Sequence, residues 1–152
     1  MSLDVDALRE SFNLVVERSP TVVRRFYEVL FERFPRAKSL FGRNSSAQQE
    51  KMLTQALVAV IDHLEDAPWL NQTLFALGAK HVEYGVTDEM YEWVGVSLLA
   101  TLAEVAGEAW TPRVERAWVE AYGVISGAML DGAHSVLAVG STAPVSTLKS
   151  AS

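Results

Sequence analysis

The chain contains no cysteine. That excludes disulfides, thiolate nucleophiles and cysteine-based zinc sites, and a reducing cytoplasm fits such a composition. Histidine is also scarce, with three in 152 residues, so any imidazole that binds a metal must do so without a cluster of protein ligands. Positive charge is in deficit: 13 Lys and Arg stand against 19 Asp and Glu, a net charge of -6. A nucleic-acid surface needs a basic patch to displace counterions from phosphates, and an anionic membrane attracts polybasic segments. Neither partner is expected. No apolar run approaches the roughly 20 residues of a membrane-spanning helix. The acidic start "MSLDVDALRE" has neither the basic nor the apolar region of a signal peptide, so a cytoplasmic location is expected. Strand-like alternation and internal repeats are absent as well.

What is present is helical periodicity from end to end. The length suits one domain, large enough to bury a core unaided. Leu8, Phe12 and Val15 or Val16 mark a first helix. Ser19-Pro20 reads as a cap followed by proline in a first turn. Val23, Phe26, Tyr27, Leu30, Phe31 and Phe34 form a wide stripe on a second helix, which Pro35 breaks into a short turn of helix ending near Phe41. "GRNSS" (Gly42–Ser46) reads as a loop, with Ser45 or Ser46 capping the next helix. Gln49, Leu53, Leu57, Val60, Ile61 and Leu64 mark that helix as a long one, ending before Pro68. Leu70, Leu74, Leu77 and His81 share one face of the next, and Gly85 lies just past its end. Thr87 or Asp88 begins a helix with Tyr91, Val94, Leu98 and Leu102 on one face, stopped by Gly107. Thr111-Pro112 begins the last, carrying Val114, Trp118, Tyr122, Ile125 and Met129. The expected fold is all-α with about seven or eight helices. Residues 1–139 form the domain, and the small polar segment 140–152 is expected to be a flexible tail.

His81 is the residue that asks for an explanation. A lone histidine near a helix C-terminus can simply place favourable charge against the helix dipole. Here, however, it continues the face of Leu70, Leu74 and Leu77, so the imidazole points toward the core. Nδ1–H can reach the Leu77 carbonyl one turn back, which leaves the Nε2 lone pair aimed into apolar space. A buried lone pair without a partner is costly. A metal brought by a cofactor would satisfy it, and haem iron is the usual partner where the neighbours are apolar rather than acidic. Two weaker signals accompany it. Gln49 is one polar residue at the start of an apolar face, which a solvated first-turn position would also explain. Tyr27 interrupts an aliphatic and Phe-rich stripe and needs a hydroxyl partner if buried. His63 and His134 read as surface or helix-end residues. Trp69, Trp93 and Trp110 are expected mostly in the core.

The segments "RRFYEVLFERFPRAKSLF" (Arg24–Phe41), "QQEKML" (Gln48–Leu53), "GAKHVEYGV" (Gly78–Val86), "YEWVGVSLL" (Tyr91–Leu99) and "AWVEAYGVI" (Ala117–Ile125) resemble a globin. The resemblance is to the single-domain bacterial haemoglobins related to the haem domain of flavohaemoglobins, and it spans roughly Leu3 to Val139. It implies a globin fold around haem b, with His81 as the proximal metal ligand. It places Lys80 near a haem propionate, where a solvated surface charge is the alternative, and Phe41 flat on the haem face. Tyr27 and Gln49 match the distal polar pair that donates hydrogen bonds to bound O₂. Leu53 limits the volume above the iron, Leu57, Val94 and Leu98 line the haem wall, and Tyr91 lies near the proximal imidazole.

Two departures bear on activity. In the flavohaemoglobin-like pattern an acid on the last helix works with the tyrosine to enrich the proximal imidazole. Here that position is Ala133. Asp131 is two residues away, about 200° round the helix. Loss of the acid disfavours oxidative chemistry without forbidding O₂ binding. The chain also shows no Gly-rich dinucleotide fingerprint, so turnover that oxidises the iron would need an external reductase. The implied function is reversible O₂ binding for delivery or storage, with nitric oxide dioxygenase as the enzymatic alternative. A gas sensor, which usually carries a fused output domain, and a haem-free globin fold rank lower. The implied ligands are O₂ and possible further diatomic gases such as NO, on a monomer or homodimer.

Overall fold

Asp4 begins the first helix, its carboxylate accepting from the Ala7 amide at 3.2 Å. The computed structural model describes residues 3–41 and 46–142. Six α-helices run as α1 (Val5–Arg18), α2 (Val22–Arg33), α3 (Ser46–Asp62), α4 (Ala67–Glu83), α5 (Asp88–Ala106) and α6 (Pro112–Thr142), with short 3₁₀ segments at Pro35–Phe41 and Gly107–Ala109. The result is an all-α globin fold of eight helical segments, with no strand among the described residues.

Helical spacing decides what is buried. Leu8, Phe12 and Val15 of α1 are buried, whereas Val16 is exposed. Val23, Phe26 and Leu30 of α2 and Leu98 and Leu102 of α5 join them in one core with Trp118 of α6. The Trp118 indole donates to Ser11 Oγ at 2.8 Å, so the core's main polar tie joins α1 to α6. Trp93 is buried, while Trp69 and Trp110 are only half-buried. Arg18 donates to the Ala106 carbonyl at 2.7 Å, satisfying an end carbonyl of α5.

One expected boundary is different. Ser19 closes α1 rather than opening α2, and Thr21 precedes the first residue of α2. The Val22 amide bonds the Ser19 carbonyl at 3.0 Å. Pro20 therefore sits in a tight turn between the helices, a place its fixed φ suits as well as a helix start. At the other end α6 runs on through Thr142. The loop residues Gly42–Ser45, including the capping position Ser45, and the tail from residue 143 lie outside the described residues. No helix among the described residues is long and apolar enough to cross a membrane.

Candidate functional site

Helix α4 starts at Asp66, whose carboxylate accepts from the Trp69 amide at 3.2 Å, with Pro68 in the first turn. From there Leu70, Leu74, Leu77 and His81 follow one another at turn spacing. Leu70 and Leu74 are buried, and Leu77 and His81 are half-buried. His81 Nδ1 lies 2.8 Å from the Leu77 carbonyl. A carbonyl only accepts, so Nδ1 carries the proton and Nε2 presents its lone pair. Burial pushes the imidazole pKa below its ordinary 6.5, against a smaller upward pull from the Leu77 hydrogen bond. The ring is therefore a neutral nitrogen donor at neutral pH.

The backbone under His81 is locked. The Val86 amide returns to the His81 carbonyl at 3.2 Å and the Gly85 amide to the Val82 carbonyl at 3.1 Å. These are the two bonds of a Schellman motif. It requires a left-handed residue, and Gly85 supplies it at φ 83°. Helix α4 is also pressed onto α6. A Cβ on Gly78 would fall 1.8 Å from the Met129 carbonyl oxygen, and one on Gly132 would fall 1.9 Å from the Phe75 carbonyl oxygen. Glycine on both helices is what lets their backbones touch.

Tyr91 of α5 is buried in the same apolar cluster as Leu70, Leu74 and Met129, with Leu77 against it. Its hydroxyl finds no hydrogen-bond partner among the described residues. Burial, with a smaller contribution from Asp88, raises its pKa. The Tyr122 hydroxyl donates to the Tyr91 carbonyl. The Tyr122 ring occupies the notch at Gly95, where a Cβ would lie 2.6 Å from Cε2. Ala133 is buried and Asp131 is exposed.

The remaining candidate residues sit on α2, α3, α5 and the first 3₁₀ segment. Tyr27 lies 5.1 Å from Phe26, 5.9 Å from Phe31 and 5.3 Å from Phe41, measured between ring centroids. Burial, helped by the Glu50 carboxylate, pushes its phenol up to about 12. Its hydroxyl thus keeps its proton. Leu53, Leu57 and Val94 are half-buried against the cluster that contains Leu98, as are Tyr27 and Phe41. Gln49 is half-buried in the first turn of α3, one turn before Leu53. Val60 touches both clusters. A small apolar gap of about 20 Å³ lies in the adjoining core, lined by Leu8, Leu57, Val60, Leu64, Leu98 and Trp118 among others.

The structure thus places Tyr27, Phe41, Leu53, Leu57, Val94 and Leu98 together, with Tyr91 and Leu77 in the second cluster. Lys80 is exposed. His63 stacks on Trp69 at 3.6 Å, and His134 pairs with Asp88 at 2.8 Å. The sequence reading passes over Gly78, Gly132 and the Tyr122 hydroxyl. A glycine inside an apolar helix face is the signal that exposes Gly78. Among the described residues no cluster of three or more His, Asp or Glu could hold a bare metal ion. What the residues fit is an apolar group bringing its own metal: one neutral imidazole, half-buried apolar residues and, in the cluster that Leu77 packs against, the orphaned Tyr91 hydroxyl.

Known proteins share this fold. The family model described as Globin matches residues 24–129. A flavohemoprotein of Rhodopirellula baltica is 36% identical over 121 residues, 78% of this chain and 30% of that protein. One from Bordetella pertussis is 35% identical over 129 residues, 83% of this chain and 32% of that protein. The chain spans about a third of the length of these relatives. A solved bacterial globin from Campylobacter jejuni superposes with a TM-score of 0.75 at 21% identity, covering 88% of this chain and 96% of that one. The flavohemoglobin of Malassezia yamatoensis, solved with FAD and heme, gives 0.66 at 22% identity, covering 88% of this chain and 36% of that one. With two thirds of its length inside the family model and its fold shared with these structures, the chain belongs to the globin family.

Proposed function

We propose that the chain binds haem b through Nε2 of His81 and takes up O₂ reversibly, as a carrier or store in the cytoplasm. The observation that carries this reading is the state of His81: Nδ1 is saturated by Leu77, the ring is held neutral, and the backbone is locked by Val86 and Gly85. Haem, when bound, supplies a ferrous iron that takes a diatomic gas.

The chain's own side chains do the rest. Tyr27 and Gln49 are the donors to the gas, which gains negative charge on binding. A hydrogen bond to a charged acceptor is worth about 1.5–3 kcal/mol, or roughly 10- to 100-fold in release rate. Phe41, Leu53, Leu57, Val94 and Leu98 wall the cofactor and exclude water. Lys80, exposed one residue from His81, would be the cation available to a haem propionate. Ala133 offers the Tyr91 hydroxyl no carboxylate, so His81 gains no electron-rich partner through that route, which favours carriage over peroxidatic chemistry.

A second reading, nitric oxide dioxygenase, draws on the similarity to flavohemoproteins. A flavin is a group that can re-reduce iron, and a reductase would supply it. The test is an optical spectrum of the purified protein with and without added haem: oxidised, then reduced, then exposed to air. Stoichiometric uptake and a shift on air that reverses under vacuum is the expected result, and absence of uptake would overturn the reading. An NO pulse on the aerated, reduced protein, with nitrate assayed per turnover in a cell extract, separates the carrier from the dioxygenase.

A further inference from the structure

This inference rests on the assignment of Tyr27 and Gln49 as the distal donors. Helix α3 carries Gln49, Leu53 and Leu57, and its closest helix partner is α2. Polar ties hold its two ends. Beyond its C-terminal end, Arg9 of α1 pairs with Glu65 at 2.9 Å and donates through Nε to the Ile61 carbonyl at 3.3 Å. At the N-terminal end, Arg24 of α2 meets Glu50 with two prongs, Nε to Oε2 at 3.2 Å and Nη2 to Oε1 at 3.3 Å. Arg24 stands one turn before Tyr27, and Glu50 follows Gln49 directly. The fork therefore joins the two backbone segments that carry the two donors.

We propose that the Arg24–Glu50 fork is a positioning pair: it fixes the first turn of α3 against α2 and thereby sets Gln49 and Tyr27 around one small ligand. A two-pronged guanidinium–carboxylate contact fixes orientation as well as distance. Little global stability comes with it, because the Arg24 side chain is 60% exposed and the Glu50 side chain 21%. Its weight falls on geometry. Arg24 also neutralises a carboxylate close enough to Tyr27 to disfavour the phenolate. Without Arg24, that charge would face a ligand that itself becomes negative.

The experiment compares haem-loaded wild type with Arg24→Gln, Glu50→Gln, the swap Arg24→Glu/Glu50→Arg, and Arg9→Gln as the control at the far end of α3. Each single change at the fork is expected to release O₂ about two- to fivefold faster, the scale of an exposed pair. Melting is expected to shift by no more than about 4 °C. The swap restores slow release, and Arg9→Gln leaves it unchanged. In the haem-free proteins, amide exchange across residues 46–53 is expected to quicken in both fork variants and not in Arg9→Gln. Unchanged release in both single variants overturns the proposal, as does an Arg9→Gln effect of equal size or a swap as fast as the singles. A wild type that takes up no haem overturns the underlying function as well. Indifferent variants of a haem-loaded wild type overturn the fork alone.

Discussion

Helices α4 and α3, which carry the proposed haem ligand and one proposed distal donor, are held in opposite ways. Helix α4 meets α6 backbone to backbone at Gly78 and Gly132, and its C-terminus is locked by a Schellman turn directly under His81. Helix α3 rests on α2 through half-buried side chains, with Ile61 its one buried residue, and is tied at its N-terminal end by Arg24 and Glu50. Under the proposed function the difference follows from what each helix would do. A metal ligand has to be fixed in direction, and close-packed backbone provides that at the cost of any freedom to adjust. A wall that admits a planar cofactor and a gas keeps its apolar residues only partly covered by protein. Leu53 and Leu57 are half-buried, and under the proposed function a haem face would complete their burial.

Breaking the rigid wall should have the larger consequences. His81→Ala removes the one imidazole on the α4 face, and stable haem binding is expected to disappear. Retention of stoichiometric haem with an unchanged spectrum would move the ligand elsewhere. Gly78→Ala puts a methyl where the Met129 carbonyl already sits. Overpacking against backbone is expected to cost about 3 kcal/mol or more, seen as a large drop in the urea midpoint. A neutral result would mean that α4 and α6 can part without penalty.

On the adaptable wall the expected effect is smaller and kinetic. Tyr27→Phe keeps the ring among Phe26, Phe31 and Phe41 and deletes only the hydroxyl. O₂ release should quicken about tenfold or more, with stability little changed. An unchanged rate would show that the hydroxyl does not reach the ligand.

The sequence makes one wall far more legible than the other. His81 stands out because a turn of helix places a carbonyl under Nδ1 wherever a histidine continues an apolar face, and the Leu77 bond at 2.8 Å is that local rule at work. Gly85 is legible for the same reason, since a helix stop is written in adjacent residues. Gly78 and Gly132 are not, because a close approach belongs to two helices at once, and these two are far apart along the chain. The Arg24–Glu50 fork spans 26 residues and is equally non-local. Tyr27 and Gln49 carry a role through family resemblance, because one phenol and one amide on separate helices have no pairing that spacing alone reveals. Pro20 misleads since a tight turn and a helix start accept the same φ.

The smallest expected effect also bears on the rigid wall, through pH. The folded chain holds the His81 pKa below its ordinary 6.5, chiefly because burial disfavours the imidazolium. The unfolded chain takes up this proton first as pH falls. In the haem-free protein the contribution of His81 is therefore fully present above 6.5 and is lost progressively as pH drops toward the lowered folded value. Haem-free His81→Gln lacks that titration but keeps His63 and His134, so the stability difference between the two proteins isolates it. That difference should shrink or reverse in favour of the variant between about pH 7 and pH 5. Occupation of Nε2 by a metal competes with protonation, so haem loading should make the wild type lose haem at the acid end of the same interval. A difference that stays flat with pH would show that the His81 ring titrates as freely in the folded chain as in the unfolded one. The α4 wall would then fix the backbone of the imidazole without fixing its charge.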